Sequence, residues 1–133
     1  MTGLVLKLSP GERLLVNGAV VENGPRRAQI RILSSEARIL RLRDALHPDE
    51  ARTPVRRACL IAQMALSGDM EPEPAREALR RHIAALSECF PRPAHRRSLE
   101  AATEAVEEGG FYAALRALRV LIDPEADLLA AAR

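Results

Sequence analysis

The chain has 133 residues, 47% of them hydrophobic, which is enough for one domain or two small modules sharing a core. Its aromatics are Phe90, Phe111 and Tyr112. None lies in the N-terminal third, which excludes a nucleic-acid platform built on base stacking there. The net charge of +2 hides an asymmetry: residues 1–46 carry eight basic and four acidic side chains, a local +4, against 12 and 14 in the remaining 87, a local −2.

In chain order, Leu4, Leu6 and Leu8 alternate with Val5 and Lys7, the period of a half-buried strand. Pro10-Gly11 turns the chain, and residues 13–16 resume a strand. Asn17-Gly18 predicts a two-residue hairpin loop, because both central residues of that turn need positive φ. Residues 19–22 form the return strand, and Asn23-Gly24-Pro25 turns again. Ala28, Ile30 and Ile32 then alternate with Arg27, Gln29 and Arg31, a strand with arginines on its open face. After Ser34-Ser35-Glu36, residues 37–42 complete a five-stranded antiparallel meander or small open barrel.

The remainder reads as helical. Thr53-Pro54 matches an N-cap followed by proline at the first helical position. Residues 58–66 are apolar except Gln63, which predicts a helix buried all round, at the centre of the fold or in an oligomer interface. Residues 70–74 read as a turn. Ala75, Leu79, Ile83, Leu86 and Phe90 recur on one helical face, with Glu77 placed to pair with Arg80 and Arg81. Pro91 and Pro93 end that helix. A third spans about 94–108 with Leu99, Ala102 and Val106 inward, and Gly109-Gly110 closes it. A fourth runs over 111–122, burying Leu115, Leu118, Leu121 and Ile122. Asp123-Pro124 ends it, leaving a short apolar tail.

The fold class is therefore α+β. Residues 1–46 form a small basic β module, the candidate RNA-binding part. Residues 47–133 form a four-helix part packed on it in a joint core.

The chemistry of catalysis is missing. His47, His82 and His95 lie far apart, Cys59 and Cys89 are 30 residues apart without C-x-x-C spacing, and no P-loop, G-x-G-x-x-G or G-x-S-x-G occurs. We expect no enzyme, no metal and no cofactor, with both cysteines as buried free thiols. No apolar leader and no run of about 18 apolar residues is present, so a soluble, cytoplasmic protein without membrane contact is expected.

Nineteen of the 20 basic residues are arginines, whose planar forks grip phosphates in pairs of hydrogen bonds. The candidate RNA contacts are Arg26, Arg27 and Arg31 along the open strand face and Lys7 opposite Leu6 and Leu8. Arg41 and Arg43, of one parity, join them, as do Arg56 and Arg57. These last two sit at a helix N-terminus, where cations are disfavoured by the dipole.

Residues 4–24 (LVLKLSPGERLLVNGAVVENG), 39–51 (ILRLRDALHPDEA), 53–69 (TPVRRACLIAQMALSGD) and 109–122 (GGFYAALRALRVLI) together resemble the alphaproteobacterial FlbT family of flagellum biosynthesis repressors. The resemblance implies a post-transcriptional regulator that associates with the 5′ untranslated region of flagellin mRNA and promotes its degradation. It also implies action opposite the flagellin regulator FlaF. The pattern L-x-L-x-x-G-E-x-L at residues 6–14 is similar, more weakly, to the carbon storage regulator fold, a five-stranded dimeric RNA binder that grips without an aromatic platform. Partners implied are the flagellin mRNA leader, FlaF or flagellin, and a second copy in a homodimer. A second reading stays open: a protein-binding adaptor acting on flagellin or FlaF through helix 58–66 and the Phe111/Tyr112 pair, with only indirect RNA association.

Overall fold

The computed structural model describes residues 3–132. The chain divides into two compact units. The first runs to Ala45 and includes Ser67–Asp69; the second comprises Leu46–Leu66 and the chain from Met70 onward.

In the first unit, β1 (Leu4–Leu8), β2 (Arg13–Val16), β3 (Ala19–Glu22), β4 (Ala28–Ile32) and β5 (Ile39–Leu40) pair antiparallel throughout. They do not form the expected single meander or barrel. β1 pairs with β4 in one sheet, and β3-β2-β5 form another. Packing explains the split. Leu6 and Leu8 of β1 cluster with Leu14 of β2, with Ile30, Ile32, Val16 and Ile39 packed around them. Two facing layers bury aliphatic side chains that one flat sheet would leave half in water, each worth about 1.5–3 kcal/mol when fully buried. The fifth strand is two residues long instead of six.

The turns follow their residue chemistry. Asn17 and Gly18 adopt φ of 49° and 83° between the paired residues Val16 and Ala19, the hairpin turn expected. A side chain at Gly18 would also collide with the Asp69 carboxylate. Asn17 holds the start of β5 as well: its N–H donates to Arg38 O and its Oδ1 accepts from Arg38 N, both 2.9 Å. Ser9-Pro10-Gly11-Glu12 closes through Glu12 N–H to Ser9 O at 3.1 Å.

The second unit begins with a 3-10 turn, Pro48–Glu50, capped by His47 and Glu50 in a reciprocal box. Five α-helices follow: α1 (Pro54–Ser67), α2 (Pro72–Ser87), α3 (Pro93–Glu107), α4 (Phe111–Arg119) and α5 (Ile122–Ala131). The expected inward residues of α2 and α3 are buried, and so are Leu115, Leu118 and Leu121. Ile122 is only half-buried. The α3–α4 junction is a Schellman closure, with Gly110 N–H on Ala105 O at 2.7 Å and Gly109 N–H on Val106 O at 3.1 Å. Gly109 sits at φ 75°, which favours glycine there.

Four expectations need correction. The apolar tail is part of a fifth helix, and the fourth is shorter than expected: α4 stops at Arg119 and α5 starts at Ile122. Pro124 lies in the first turn of α5, where its missing N–H has no helical partner to lose. The segment read as a turn at 70–74 already contains the start of α2, for the same reason. Helix α1 is buried along Val55, Ala58, Cys59 and Ala62, while Leu60, Ile61 and Met64 are half-buried, so it is not enclosed all round. Cys59 is a buried free thiol, but Cys89 is exposed.

Two buried polar side chains organise the helical unit. Gln63, 4% exposed, accepts from Leu46 N–H through Oε1 and donates to Leu46 O through Nε2, both at 2.8 Å. Both polar groups of one residue's backbone are thus satisfied by one amide. Glu125 of α5, 6% exposed, accepts from Val55 N–H in the first turn of α1 at 2.8 Å. Thr53 Oγ1 accepts from Arg56 N–H at 3.3 Å, the cap expected. Glu125 takes one of the remaining orphan donors and brings a negative charge to the positive end of the α1 dipole.

Candidate nucleic-acid interface

The β1–β4 register decides which side chains share a surface. Leu4, Leu6 and Leu8 stand opposite Ile32, Ile30 and Ala28, whereas Val5 and Lys7 stand opposite Arg31 and Gln29. Side chains alternate across a strand, so the second set forms the outer face. Lys7, Gln29 and Arg31 are all exposed on it. Arg27, just before β4 and two residues from Gln29, continues that parity. Lys7, Ser9, Arg27 and Gln29, with Leu8 and Ala28, line a shallow hollow of about 480 Å³.

Asn23 sets this arrangement. Its side-chain amide donates to Ser9 O at 2.7 Å and to Arg26 O at 2.9 Å, joining the end of β1 to the approach of β4. Nothing in the sequence reading gave Asn23 more than a turn role. The only signal was an Asn-Gly-Pro run directly before two arginines.

The eight basic residues of residues 1–46 fall into two groups. Arg13 meets Glu22 at 2.9 Å across the β2–β3 ladder and donates to Ala45 O. Arg38 meets Asp69 at 3.6 Å. Arg41 donates to Glu12 Oε2 at 2.7 Å and Oε1 at 3.2 Å, and also to Lys7 O. Arg43 lies 4.0 Å from the same carboxylate with its side chain 76% exposed. Lys7, Arg26, Arg27 and Arg31 form no ion pair among the described residues.

Glu12 is the hub of the first group. Its side chain is 2% exposed, and the Arg41 hydrogen bonds hold its carboxyl down at about 2. The Ser9 N–H, which it accepts at 2.9 Å, lowers it further, and partial desolvation opposes both. Arg41 therefore braces the backbone at Lys7 and Ser9 and does not stand free on the outer face.

Arg56 and Arg57 belong to the helical unit. Arg57 donates to Arg52 O at 3.4 Å, and Arg56 lines a hollow with Glu50, Arg52 and Glu125. The Glu125 carboxylate at the α1 N-terminus compensates for cations in that first turn, which removes the dipole argument for a special role. Burial, then Arg81 and Arg57, push the His82 imidazole below its usual range. Of the aromatic pair, Phe111 is buried and Tyr112 exposed, with the Arg116 guanidinium 6.0 Å from its ring. Among the described residues no three His, Cys, Asp or Glu side chains gather as metal ligands would. No helix among them is long and apolar enough to cross a membrane.

Residues 4–129 match the sequence profile of the family described as flagellar protein FlbT. The chain belongs to the FlbT family. It is 34% identical over 128 residues to a probable flagellum biosynthesis repressor protein FlbT of Rhodopseudomonas palustris strain TIE-1, covering 95% of this chain and 97% of that one. A relative of the same name in Agrobacterium fabrum is 30% identical over 126 residues, 95% of this chain and 83% of the relative. A local match to the FlbT protein of Caulobacter sp. strain K31 reaches 50% over 54 residues but spans only 41% of this chain and 40% of that one. No solved structure matches the chain. The two-sheet arrangement of this FlbT-family member gives no support to the carbon storage regulator likeness.

Proposed function

We propose that this FlbT-family chain is a post-transcriptional regulator of flagellum biogenesis. On this reading it associates with the 5′ untranslated region of flagellin mRNA, promotes degradation of the message and represses its translation. The observation that carries the reading is the outer face of β1–β4, where Lys7, Arg27 and Arg31 form no ion pair among the described residues. In the same unit Arg13, Arg38, Arg41 and Arg43 are paired with Glu22, Asp69 and Glu12. A cationic surface kept clear of carboxylates is what a phosphate backbone recognises. Arg26 and Arg43 flank this core of the site, Arg41 braces it, and Arg56 and Arg57 are accessory candidates on the helical unit. A homodimer would present the face twice and raise affinity through effective concentration.

The experiment is a titration of nucleic-acid-free protein against a flagellin 5′ leader RNA and a scrambled control at two salt concentrations. Three phosphate contacts on single-stranded RNA give a slope of log K against log salt of about −2. Leader-selective binding with that slope is expected. The alternative, an adaptor for flagellin or FlaF, draws on the exposed Tyr112 and Val120 of the α4 region. Under it the purified protein binds neither RNA.

A further inference from the structure

Phosphate contacts hold a nucleic acid but do not distinguish one base from another. If the outer β1–β4 face is the RNA surface, some group on it must read bases. Val5 has no hydrogen-bonding atoms in its side chain, and Lys7, Arg27 and Arg31 are donor-only cations that grip phosphate or the acceptors of guanine alone. Gln29 is different. It lies directly opposite Lys7 in the register, two residues from Arg27 on one side and from Arg31 on the other. Its side chain is exposed and makes no hydrogen bond among the described residues. Residues two apart on a strand are about 6.6–6.8 Å apart, so the amide sits midway between two guanidinium-bearing positions roughly 13 Å from each other. It also borders the hollow lined by Lys7, Ser9 and Arg27.

We propose that Gln29 is the base-reading residue of this surface: its side-chain amide pairs with the edge of one unstacked RNA base while the flanking cations hold the neighbouring phosphates. This rests on the RNA reading of the same face. A primary amide offers one acceptor and two donors in a plane, which matches a base edge with an adjacent donor and acceptor. Glutamine also has the reach to meet a base lying above a strand surface. With no aromatic residue in the β unit, the base is selected by its edge and not by stacking. Ser9 and Arg27 form the wall against which the base is seated.

The test uses the full chain and short homopolymeric RNAs of A, C, G and U, read by fluorescence anisotropy at fixed salt. The wild-type protein should prefer one homopolymer over the weakest by about fivefold to a hundredfold. Gln29→Ala should lower affinity for the preferred homopolymer by that same factor and bring the four within about twofold of one another, while the weakest homopolymer and the salt slope stay near wild type. Gln29→Thr, which keeps strand propensity but loses reach, should do the same. Both variants should keep the wild-type far-ultraviolet circular dichroism. A preference that survives both substitutions overturns the assignment of Gln29 while leaving the RNA reading intact. So does a wild type that binds all four equally. A wild-type protein that binds none of them overturns the RNA reading itself.

Discussion

The β unit and the helical unit are held by different means. The helical unit buries Leu79, Leu99, Leu115, Leu118, Leu121, Val55, Val106 and Phe90 almost completely, with Gln63 and Glu125 as isolated polar clamps. The β unit has a smaller aliphatic core around Leu6, Leu8, Leu14 and Leu15. Its strands and turns are joined across the chain by side-chain-to-backbone ties from Glu12, Asn17, Asn23, Arg13 and Arg41. Small β modules bury too little apolar area to be held by packing alone. Polar ties supply the difference, and they also decide which arginines remain free. On the proposed RNA reading, structure and function draw on the same residue type in the β unit, and Glu12, Glu22 and Asp69 separate the two uses.

The largest expected effect breaks the better-packed region. Leu118→Ala, at a site with no solvent exposure, should cost about 3–5 kcal/mol in denaturant unfolding. Leu6→Ala, at the edge of the smaller cluster, should cost about 2–3 kcal/mol. Equal costs would mean that the two cores are built alike.

Next comes the clamp between α5 and α1. Glu125→Ala leaves the buried Val55 N–H without its acceptor and should cost about 1–3 kcal/mol. Glu125→Gln keeps an oxygen there and should lose less than half of that. Indistinguishable losses would show that the carboxylate's charge, not its hydrogen bond, matters at this helix end.

Acid should loosen the β unit through Glu12. Its carboxyl is lowered from 4.5 to about 2, so its stabilising contribution is complete above about pH 4.5 and is lost as the pH falls toward 2. Amide exchange in β1 and β2 should rise over that window in the wild type and be flatter there in Glu12→Gln. The smallest effect belongs to Arg80, whose bidentate bridge to Glu107 joins two half-exposed side chains at 2.6 and 2.7 Å. Arg80→Ala should shift Tm barely measurably, and less again at high salt.

Much of this was legible in the order of residues. Period-two leucines placed β1, Asn17-Gly18 placed the hairpin, and Gly109-Gly110 placed the α3–α4 junction, because each depends on local backbone preference. What failed depends on context. Pro72 and Pro74 read as turn residues and Pro124 as a helix end, yet each sits in a helical first turn, where proline is tolerated. Whether a proline ends one helix or opens the next is decided by what the following turn can bury. The pairing of β1 with β4 was equally hidden, since long-range strand partners leave no local mark. The open face of β4 was visible as alternating arginines. That Arg41 would brace it, that Asn23 would pin it and that Gln29 would stand at its centre required the register.

The most direct test of the central claim is charge reversal on that face. Arg27→Glu/Arg31→Glu should lower affinity for the flagellin leader RNA at least tenfold and flatten the salt slope. Arg81→Glu/Arg97→Glu, the same change in net charge on the helical unit, should stay within about threefold of wild type. Equal losses from both pairs, or no loss from the first with the fold intact, would contradict the assignment of the β1–β4 face as the RNA surface.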